Sequence, residues 1–266
     1  MSGVAGPTTR RRSLLPRLVI SGTLLGAVVV AAAAVLTRHT DGMASPPGST
    51  LPSGAECART IERSGWEPVP ENTEANNHIP DDVDIPERTD YTHPANTKVF
   101  SRIDGVFAGT TDDIIEWGAC KWGFDPDLVR AQAYAESSWV QSATGDLTDD
   151  PEECVPGGTP PCPTSFGLLQ IKHLYHPGTY PSSRESTAFN VDYALGILRA
   201  CYEGWVAYFP EDYRPGDIEG CLGQHFSGGW RDPAGLAYAD RVLDIWRSDG
   251  WLSLPGATGS LHAGST

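Results

Sequence analysis

The stretch "DPDLVRAQAYAESSW", residues 125–139, decides the fold and points to a candidate site. Asp125 is a typical N-cap residue, and Pro126 suits the first helical position, where its missing N–H leaves no hydrogen bond unmade. The helical spacings of three, four and seven residues place Glu136 on one face with apolar neighbours, namely Val129, Ala133, Trp139 and Val140. Either the register of this helix differs, or the carboxyl group of Glu136 is placed in the apolar stripe for chemistry.

Further helical patterns fill the chain between residues 99 and 250. "TTDDIIEWGACKWG", residues 110–123, has Thr110 or Thr111 as its cap and Gly123 as its stop. "STAFNVDYALGILRACYEGWVAYF", from Ser186, is the longest amphipathic run. "GDIEGCLGQHF" and "DPAGLAYADRVLDIWRS" complete the set, and a small hairpin near Cys154 is the one strand feature we expect. The pattern predicts a mainly α fold, a single domain with long loops over residues 99–250.

The N-terminus carries a basic tail, residues 1–13, followed by an apolar run over residues 14–36. A bilayer-spanning helix needs roughly 20 mostly apolar residues, and a positive flank orients the following chain away from the cytoplasm. The run is either a signal peptide or an uncleaved signal anchor, and its length favours the anchor. We therefore expect the rest of the chain to be extracytoplasmic.

Residues 37–98 differ in composition from the chain beyond residue 98, because Pro, Asn, Asp, Glu and Thr dominate without a sustained period. A simple spacer would not need Cys57, Ile61 or Trp66. We predict an extended arm that partly wraps the domain and is tied to it through Cys57. Residues 251–266 are predicted to form a flexible C-terminal tail.

Six cysteines lie beyond the export segment, and an even number outside the cytoplasm is typical of disulfides. Cys154 and Cys162 enclose a short Pro/Gly-rich loop and are expected to pair locally. The other four permit several connectivities, among which we favour Cys201 with Cys221 and Cys57 with Cys120. No tight Cys/His spacing predicts a metal site, and we interpret His173 and His176 as surface histidines.

The charge excludes several classes of function. Without the five arginines and one aspartate of residues 1–44, 14 basic and 33 acidic residues remain, a formal charge of −19. Nucleic-acid binding requires basic patches, which this part of the chain lacks. There is no Gly-rich phosphate loop, and Ser227 in "FSGGW" lacks the strand-turn-helix context of a serine hydrolase. We expect no nucleic acid, no cofactor and no metal.

What remains is one acid on a helix face, loop amides and hydroxyls, and many aromatic residues, the side chains that saccharide sites use. Four pieces occur in order: "AESSW" from Ala135, "SFGLLQI" from Ser165, "STAFNVDYALGIL" from Ser186 and "HFSGGW" from His225. Together they resemble the soluble lytic transglycosylases of the lysozyme-like superfamily, and the match covers roughly residues 112–246. The resemblance implies a disulfide-stapled, lysozyme-like catalytic domain.

The resemblance also implies site residues. Glu136 corresponds to the catalytic acid of the family, and substrate contacts are expected at Ser137, Ser165, Gly167, Leu168, Gln170, Tyr193, Phe226, Ser227 and Gly228. One position departs from the pattern, because Phe226 stands where the family often has a tyrosine that bonds the catalytic glutamate. A phenylalanine cannot donate a hydrogen bond, and Tyr193 is a candidate substitute.

The resemblance implies cleavage of the β-1,4 bond between N-acetylmuramic acid and N-acetylglucosamine in peptidoglycan, with a 1,6-anhydro product. A hydrolytic muramidase is the alternative, with Glu136 and a second carboxylate from Asp146, Asp149 or Asp150. A non-catalytic glycan-binding envelope protein is an alternative of another class. We expect a monomer in the bacterial cell envelope, secreted or attached to the membrane through its N-terminal segment, with peptidoglycan glycan strands as its partner.

Overall fold

Helices form most of the architecture in the computed structural model, which describes residue 3 and residues 42–257. Within that part of the chain there are nine α-helices, which we label α1 Gly54–Thr60, α2 Thr73–Asn77, α3 His93–Lys98, α4 Thr111–Trp122, α5 Pro126–Ser137, α6 Ser182–Glu185, α7 Thr187–Tyr202, α8 Ile218–Ser227 and α9 Pro233–Ser248. Short 3-10 turns occupy Pro70–Asn72, Phe100–Arg102 and Gly250–Ser253. The mainly helical class predicted from the sequence is confirmed.

A small antiparallel sheet lies between α5 and α6. Its strands are β1 Thr144–Thr148, β2 Cys162–Phe166 and β3 Ile171–Lys172, in the order β1-β2-β3. Thr144 pairs with Phe166, and Thr148 pairs with Cys162. The loop between β1 and β2 holds Cys154, so the hairpin expected there is present, extended by a third strand.

Local sequence signals set the ends of the helices around the site. Thr110 and Asp113 form a reciprocal capping box at the start of α4, and Gly123 ends that helix in the left-handed region with φ 69°. Asp125 caps α5 by accepting from the backbone N–H of Asp127, and Ser138 ends α5 with φ 52°. Because α5 stops at Ser137, Glu136 lies in its last turn.

The core is built around α7, every residue of which is buried. It packs on α4, α8 and α6. Helices α4 and α7 cross closely at Gly118. A Cβ added to this glycine would lie only 2.5 Å from Cγ1 of Val191 on α7. The central position of α7 explains why its sequence is apolar on more than one side.

The arm, described from residue 42 onward, packs as part of this same compact unit. The Asn72 side chain donates to the backbone carbonyl of Trp139 at 2.6 Å and accepts from the N–H of Gln141 at 2.8 Å. The Trp66 ring lies 5.0 Å from that of Trp139, centroid to centroid. The arm therefore covers the segment that immediately follows Glu136.

Three disulfides join Cys57 with Cys120, Cys154 with Cys162, and Cys201 with Cys221, which confirms the predicted pairings. They are compatible with an extracytoplasmic location. The anchor or signal segment at residues 14–36 lies outside the described residues, as does most of the tail predicted for residues 251–266. Among the residues that are described, no helix has the length and apolar character needed to cross a bilayer.

Candidate active site

A polar cavity of about 760 Å³ opens beside the last turn of α5. Its wall includes Glu136, residues of β2 and β3, the C-terminal half of α8, one face of α7, and Arg88, Asp90 and Tyr91 of the arm. The Glu136 side chain is 11% exposed. Val129, Ala133 and Trp139 are buried, as predicted for the apolar residues that share a helix face with Glu136, although α5 ends before Trp139 and Val140. The carboxyl group is thus placed in a cavity wall, largely shielded from water.

Two side chains from different helices contact the same oxygen of Glu136. The Tyr238 hydroxyl on α9 donates to Oε1, and Nε2 of His225 on α8 lies 3.3 Å from Oε1. Tyr238 is buried, and burial together with the nearby negative charge of Glu136 raises the pKa of its phenol well above the usual value. The phenol therefore keeps its proton and acts as a permanent donor that orients the carboxyl group.

Tyr238 has the role that the sequence suggested for Tyr193. Tyr193 does not reach the glutamate: its hydroxyl accepts from Nη1 of Arg88 at 3.0 Å and lies 3.2 Å from Nδ1 of His176. Phe226 donates no hydrogen bond. Its ring stacks on the ring of Tyr238, with the two centroids 4.9 Å apart and an interplanar angle of 10°. Phe226 is 55% exposed and lines the cavity, so it offers an aromatic surface to that cavity.

The arm contributes a charged network to the wall of the cavity. The Arg88 guanidinium binds Asp90 through Nε at 2.8 Å and Nη2 at 2.5 Å, in a bidentate geometry. Its Nη1 also lies 3.3 Å from Nδ1 of His176. Burial lowers the pKa of His176 to about 3, with further lowering by the charges of Arg88 and His225. His176 is therefore a neutral member of the wall and not the surface histidine that the sequence indicated.

The predicted contact residues fall into two groups. Those on the cavity wall are Ser165, Gln170, Tyr193, Phe226, Ser227 and Gly228. Three others lie behind the wall: Ser137 donates to the Leu168 carbonyl at 2.8 Å, Leu168 is fully buried, and Gly167 packs against Asn190. A Cβ on Gly167, where φ is 86°, would lie 2.1 Å from Nδ2 of Asn190, so only glycine fits. Ser137 and Leu168 join α5 to the turn between β2 and β3, and Gly167 packs the same turn on α7, so none of the three lines the cavity.

Of the three candidate second carboxylates, Asp146 alone is on the cavity wall. It accepts from the Ser165 hydroxyl at 2.6 Å and lies 3.4 Å from Nζ of Lys172. Asp149 and Asp150 are exposed in the loop after β1. Asp146 is thus the position where a second acid could serve the site.

Sequence reasoning did not single out Arg88, Asp90, Gln224 or Tyr238 as site residues, and it treated His225 only as the first letter of a motif. No local signal marks them, because Tyr238 is 102 positions from Glu136 and Arg88 is 105 from Tyr193. Over residues 42–257 no group of three or more His, Cys, Asp or Glu side chains is arranged to hold a metal ion. Comparison with family models, with curated proteins and with solved structures found no significant match to this chain.

Proposed function

We propose that this chain is a peptidoglycan lytic transglycosylase with a lysozyme-like domain, in which Glu136 is the general acid and base. The observation that carries the proposal is the convergence of Tyr238 and His225 on Oε1 of a carboxyl group that is 11% exposed in the wall of a large polar cavity. This arrangement holds one acid in a fixed orientation, which proton transfer to a bound substrate requires. The ordered motifs around Glu136, Gln170 and Phe226 supply the substrate class.

The orientation of the carboxyl group suggests which oxygen reacts. Tyr238 and His225 both contact Oε1, whereas Oε2 has no hydrogen-bond partner among the described residues. Protonated Glu136 would donate from Oε2 to the oxygen that bridges N-acetylmuramic acid and N-acetylglucosamine, and the bond from that oxygen to C1 would break. The resulting carboxylate would then accept the proton of the 6-hydroxyl as O6 bonds to C1. The product is a 1,6-anhydro sugar, and no water is consumed.

The other carboxylates of the cavity favour this one-acid mechanism. Asp90 is bound to the Arg88 guanidinium, and Asp146 is held by Ser165 and Lys172. A muramidase is the second candidate, because Asp146 lies on the wall of the same cavity and its side chain is 56% exposed. In that enzyme Asp146 would activate a water on the opposite face of the sugar.

The test is digestion of purified peptidoglycan by the protein and by its Glu136→Gln and Asp146→Asn variants, with released fragments identified by mass spectrometry. We expect anhydro-ended fragments from the parent protein and from Asp146→Asn, and at least a hundredfold less from Glu136→Gln. Reducing ends that vanish in both variants would establish the muramidase. Glycan binding without release of fragments by any of the three proteins would identify a binding protein instead.

The three disulfides are compatible with a location outside the cytoplasm, and we propose that the protein acts in the bacterial cell envelope. Peptidoglycan glycan strands are its proposed partner there. Attachment to the membrane through residues 14–36 remains a prediction, as does a monomeric state.

A further inference from the structure

Gln132 lies one helical turn before Glu136 on α5, on the same face of the helix. Its side chain is polar but buried, with an exposed fraction of 1%, and the apolar residues one turn earlier, Leu128 and Val129, are buried as well. Neither Gln132 nor Tyr238 lines the cavity, so a ligand bound there does not contact them. The reason for a glutamine at this position therefore lies inside the protein.

The Gln132 side chain makes a hydrogen bond with the Tyr238 phenol, and the direction of that bond is defined. Burial and the adjacent Glu136 raise the pKa of the phenol, whereas the bond from Gln132 lowers it. A hydrogen bond lowers the pKa of a phenol when the phenol oxygen accepts, because it then stabilises the ionised form. The amide nitrogen is the one donor of a glutamine side chain, so Nε2 donates to the phenol oxygen.

The other end of the same amide is unpaired. Oε1 of Gln132 is buried and makes no hydrogen bond within the part of the chain that the structure describes. An unpaired buried carbonyl oxygen costs free energy of folding, and an apolar side chain of the same length would avoid that cost. Stability alone does not account for this glutamine, and the donor at Nε2 is the feature that an apolar residue lacks.

The Tyr238 hydroxyl has one proton to donate and two polar side chains beside it. With Nε2 of Gln132 facing the phenol, Oε1 of Glu136 is the acceptor of that proton. The reversed amide would place Oε1 of Gln132 against the phenol as a second acceptor and draw the proton away from Glu136. A donor on the phenol oxygen also polarises the O–H bond, which strengthens the hydrogen bond that the phenol gives.

We propose that Gln132 is a positioning residue, which directs the proton of the Tyr238 hydroxyl to Oε1 of Glu136. Because the phenol then donates to Oε1 whether Glu136 is protonated or ionised, Oε2 stays the oxygen that exchanges a proton with the substrate. The effect on turnover rests on the proposed function. The chain of hydrogen bonds from Gln132 through Tyr238 to Glu136 is a property of the folded protein alone.

The direct test is nuclear magnetic resonance of the full-length, nitrogen-15-labelled protein. The two Nε2 protons of Gln132 are identified by their absence from the spectrum of Gln132→Met. In Tyr238→Phe one of them should move upfield and exchange with water faster, because its acceptor is gone. Amide resonances that are the same in Tyr238→Phe and in the parent protein would overturn the proposal.

The kinetic test combines Gln132→Met with Tyr238→Phe. Gln132→Met keeps the length of the side chain and removes the donor, so we expect kcat for release of peptidoglycan fragments to fall about threefold to tenfold, with KM unchanged. In the Tyr238→Phe background the same substitution should change kcat by less than about twofold, because its effect passes through the phenol. The thermal midpoint should hold or rise, since an unpaired buried oxygen has been removed.

Gln132→Glu adds a pH dependence that a role in packing alone would not produce. A protonated carboxyl group at this position can donate to the phenol as the amide does, whereas the ionised group can only accept and competes with Glu136. The ratio of kcat for Gln132→Glu to kcat for the parent protein should therefore fall as the pH rises. The corresponding ratio for Gln132→Met should stay constant with pH.

Gln141 offers a matched control, because it is a second glutamine with an exposed fraction of 1%. Its Nε2 donates to the backbone carbonyls of Ser183 and Arg184 at 3.0 Å and 3.1 Å, a structural role. Gln141→Met should lower the thermal midpoint, and any loss of kcat should be the same with Tyr238 present or replaced by phenylalanine.

A loss of kcat from Gln132→Met that is equal in both backgrounds, or a constant kcat ratio for Gln132→Glu, would make Gln132 a packing residue and overturn the proposal. Failure of the proposed function is a separate outcome. A protein that releases no peptidoglycan fragments still shows, through its Gln132 amide resonances, whether the amide bonds the phenol. Conversely, fragment release with no response of those resonances to Tyr238→Phe removes the role of Gln132 alone.

Discussion

A single oxygen of Glu136 receives two contacts, and the two partners are not equivalent. The Tyr238 phenol is a donor over the whole neutral range, because burial and the nearby carboxylate raise its pKa. Nε2 of His225 approaches the same oxygen at 3.3 Å from another helix. Orientation of the acid therefore depends chiefly on a residue that the sequence motif did not contain.

Replacement of Tyr238 by phenylalanine tests this dependence. Tyr238→Phe keeps the ring that stacks on Phe226 and removes the hydrogen bond to Glu136. A bond to a charged group contributes about 1.5–3 kcal/mol, so we expect kcat for release of peptidoglycan fragments to fall about tenfold to a hundredfold with little change in KM.

The control for Tyr238→Phe is the thermal midpoint of the variant, which should stay close to that of the parent protein. A kcat equal to that of the parent would show that the phenol does not position the acid. A rise in KM at constant kcat would instead assign Tyr238 to substrate binding.

At the scale of elements, the signals that were local in sequence predicted the structure well. The Asp-Pro pairs at Asp125 and Asp232 do begin α5 and α9, and Thr110 caps α4. Those signals act within four residues, so no knowledge of packing is needed to interpret them. A hairpin near Cys154 was expected, but the position of β1 could not be predicted, because "TGDLT" has neither β-branched alternation nor a buried face and is ordered by pairing with β2.

The same limit explains which site residues the sequence missed. Glu136 was found because its neighbours in the same helix are apolar. Tyr238 and His225 reach it only because α9 packs beside α5 and α8 packs beside α9, and no spacing along the chain encodes that arrangement. Residues that meet through helix packing require the fold to be known first.

At the crossing of α4 and α7, a substitution of Gly118 sets helix propensity against side-chain packing. Gly118→Ala raises the helix propensity of α4 by roughly 1 kcal/mol. The added Cβ would lie 2.5 Å from Val191 and 3.2 Å from Leu195, and Val191 is a stiff β-branched residue. We expect the packing cost to prevail, with the free energy of unfolding in urea lower by about 1–3 kcal/mol.

A second substitution separates the two effects at this crossing. Combining Gly118→Ala with Val191→Ala makes room for the new methyl group, so the double variant should lose less than the sum of the two single losses. An increase in stability for Gly118→Ala alone would mean that α4 and α7 move apart at little cost, contrary to the close approach of their backbones.

At the scale of the whole molecule, the arm is a structural part of the compact unit that holds the cavity. It brings Arg88 to the cavity, places Asn72 under Trp139 and is joined to α4 by the disulfide between Cys57 and Cys120. The sequence predicted that the arm partly wraps the domain and is joined to it through Cys57. It did not predict that the arm supplies part of the cavity wall, because the composition of residues 37–98 resembles that of a spacer.

The three disulfides close loops of very different size, and this leads to a ranked prediction. Their sequence separations are 63 for Cys57 and Cys120, 20 for Cys201 and Cys221, and 8 for Cys154 and Cys162. Because a cross-link restricts the unfolded chain more as its loop lengthens, replacing each pair by serines should lower the free energy of unfolding by about 4, 3 and 2.5 kcal/mol respectively. The three double variants are compared by urea denaturation at one pH.

The Cys154 and Cys162 variant is the matched control for the arm, since the loop that this disulfide closes is short and contributes no residue to the cavity wall. If it loses as much stability as the Cys57 and Cys120 variant, loop entropy does not govern the ranking. If the Cys57 and Cys120 variant unfolds in two steps, the arm separates before the helices do. A single, earlier transition is what we expect, because Asn72, Trp66 and Arg88 tie the arm to the helical core at three further points.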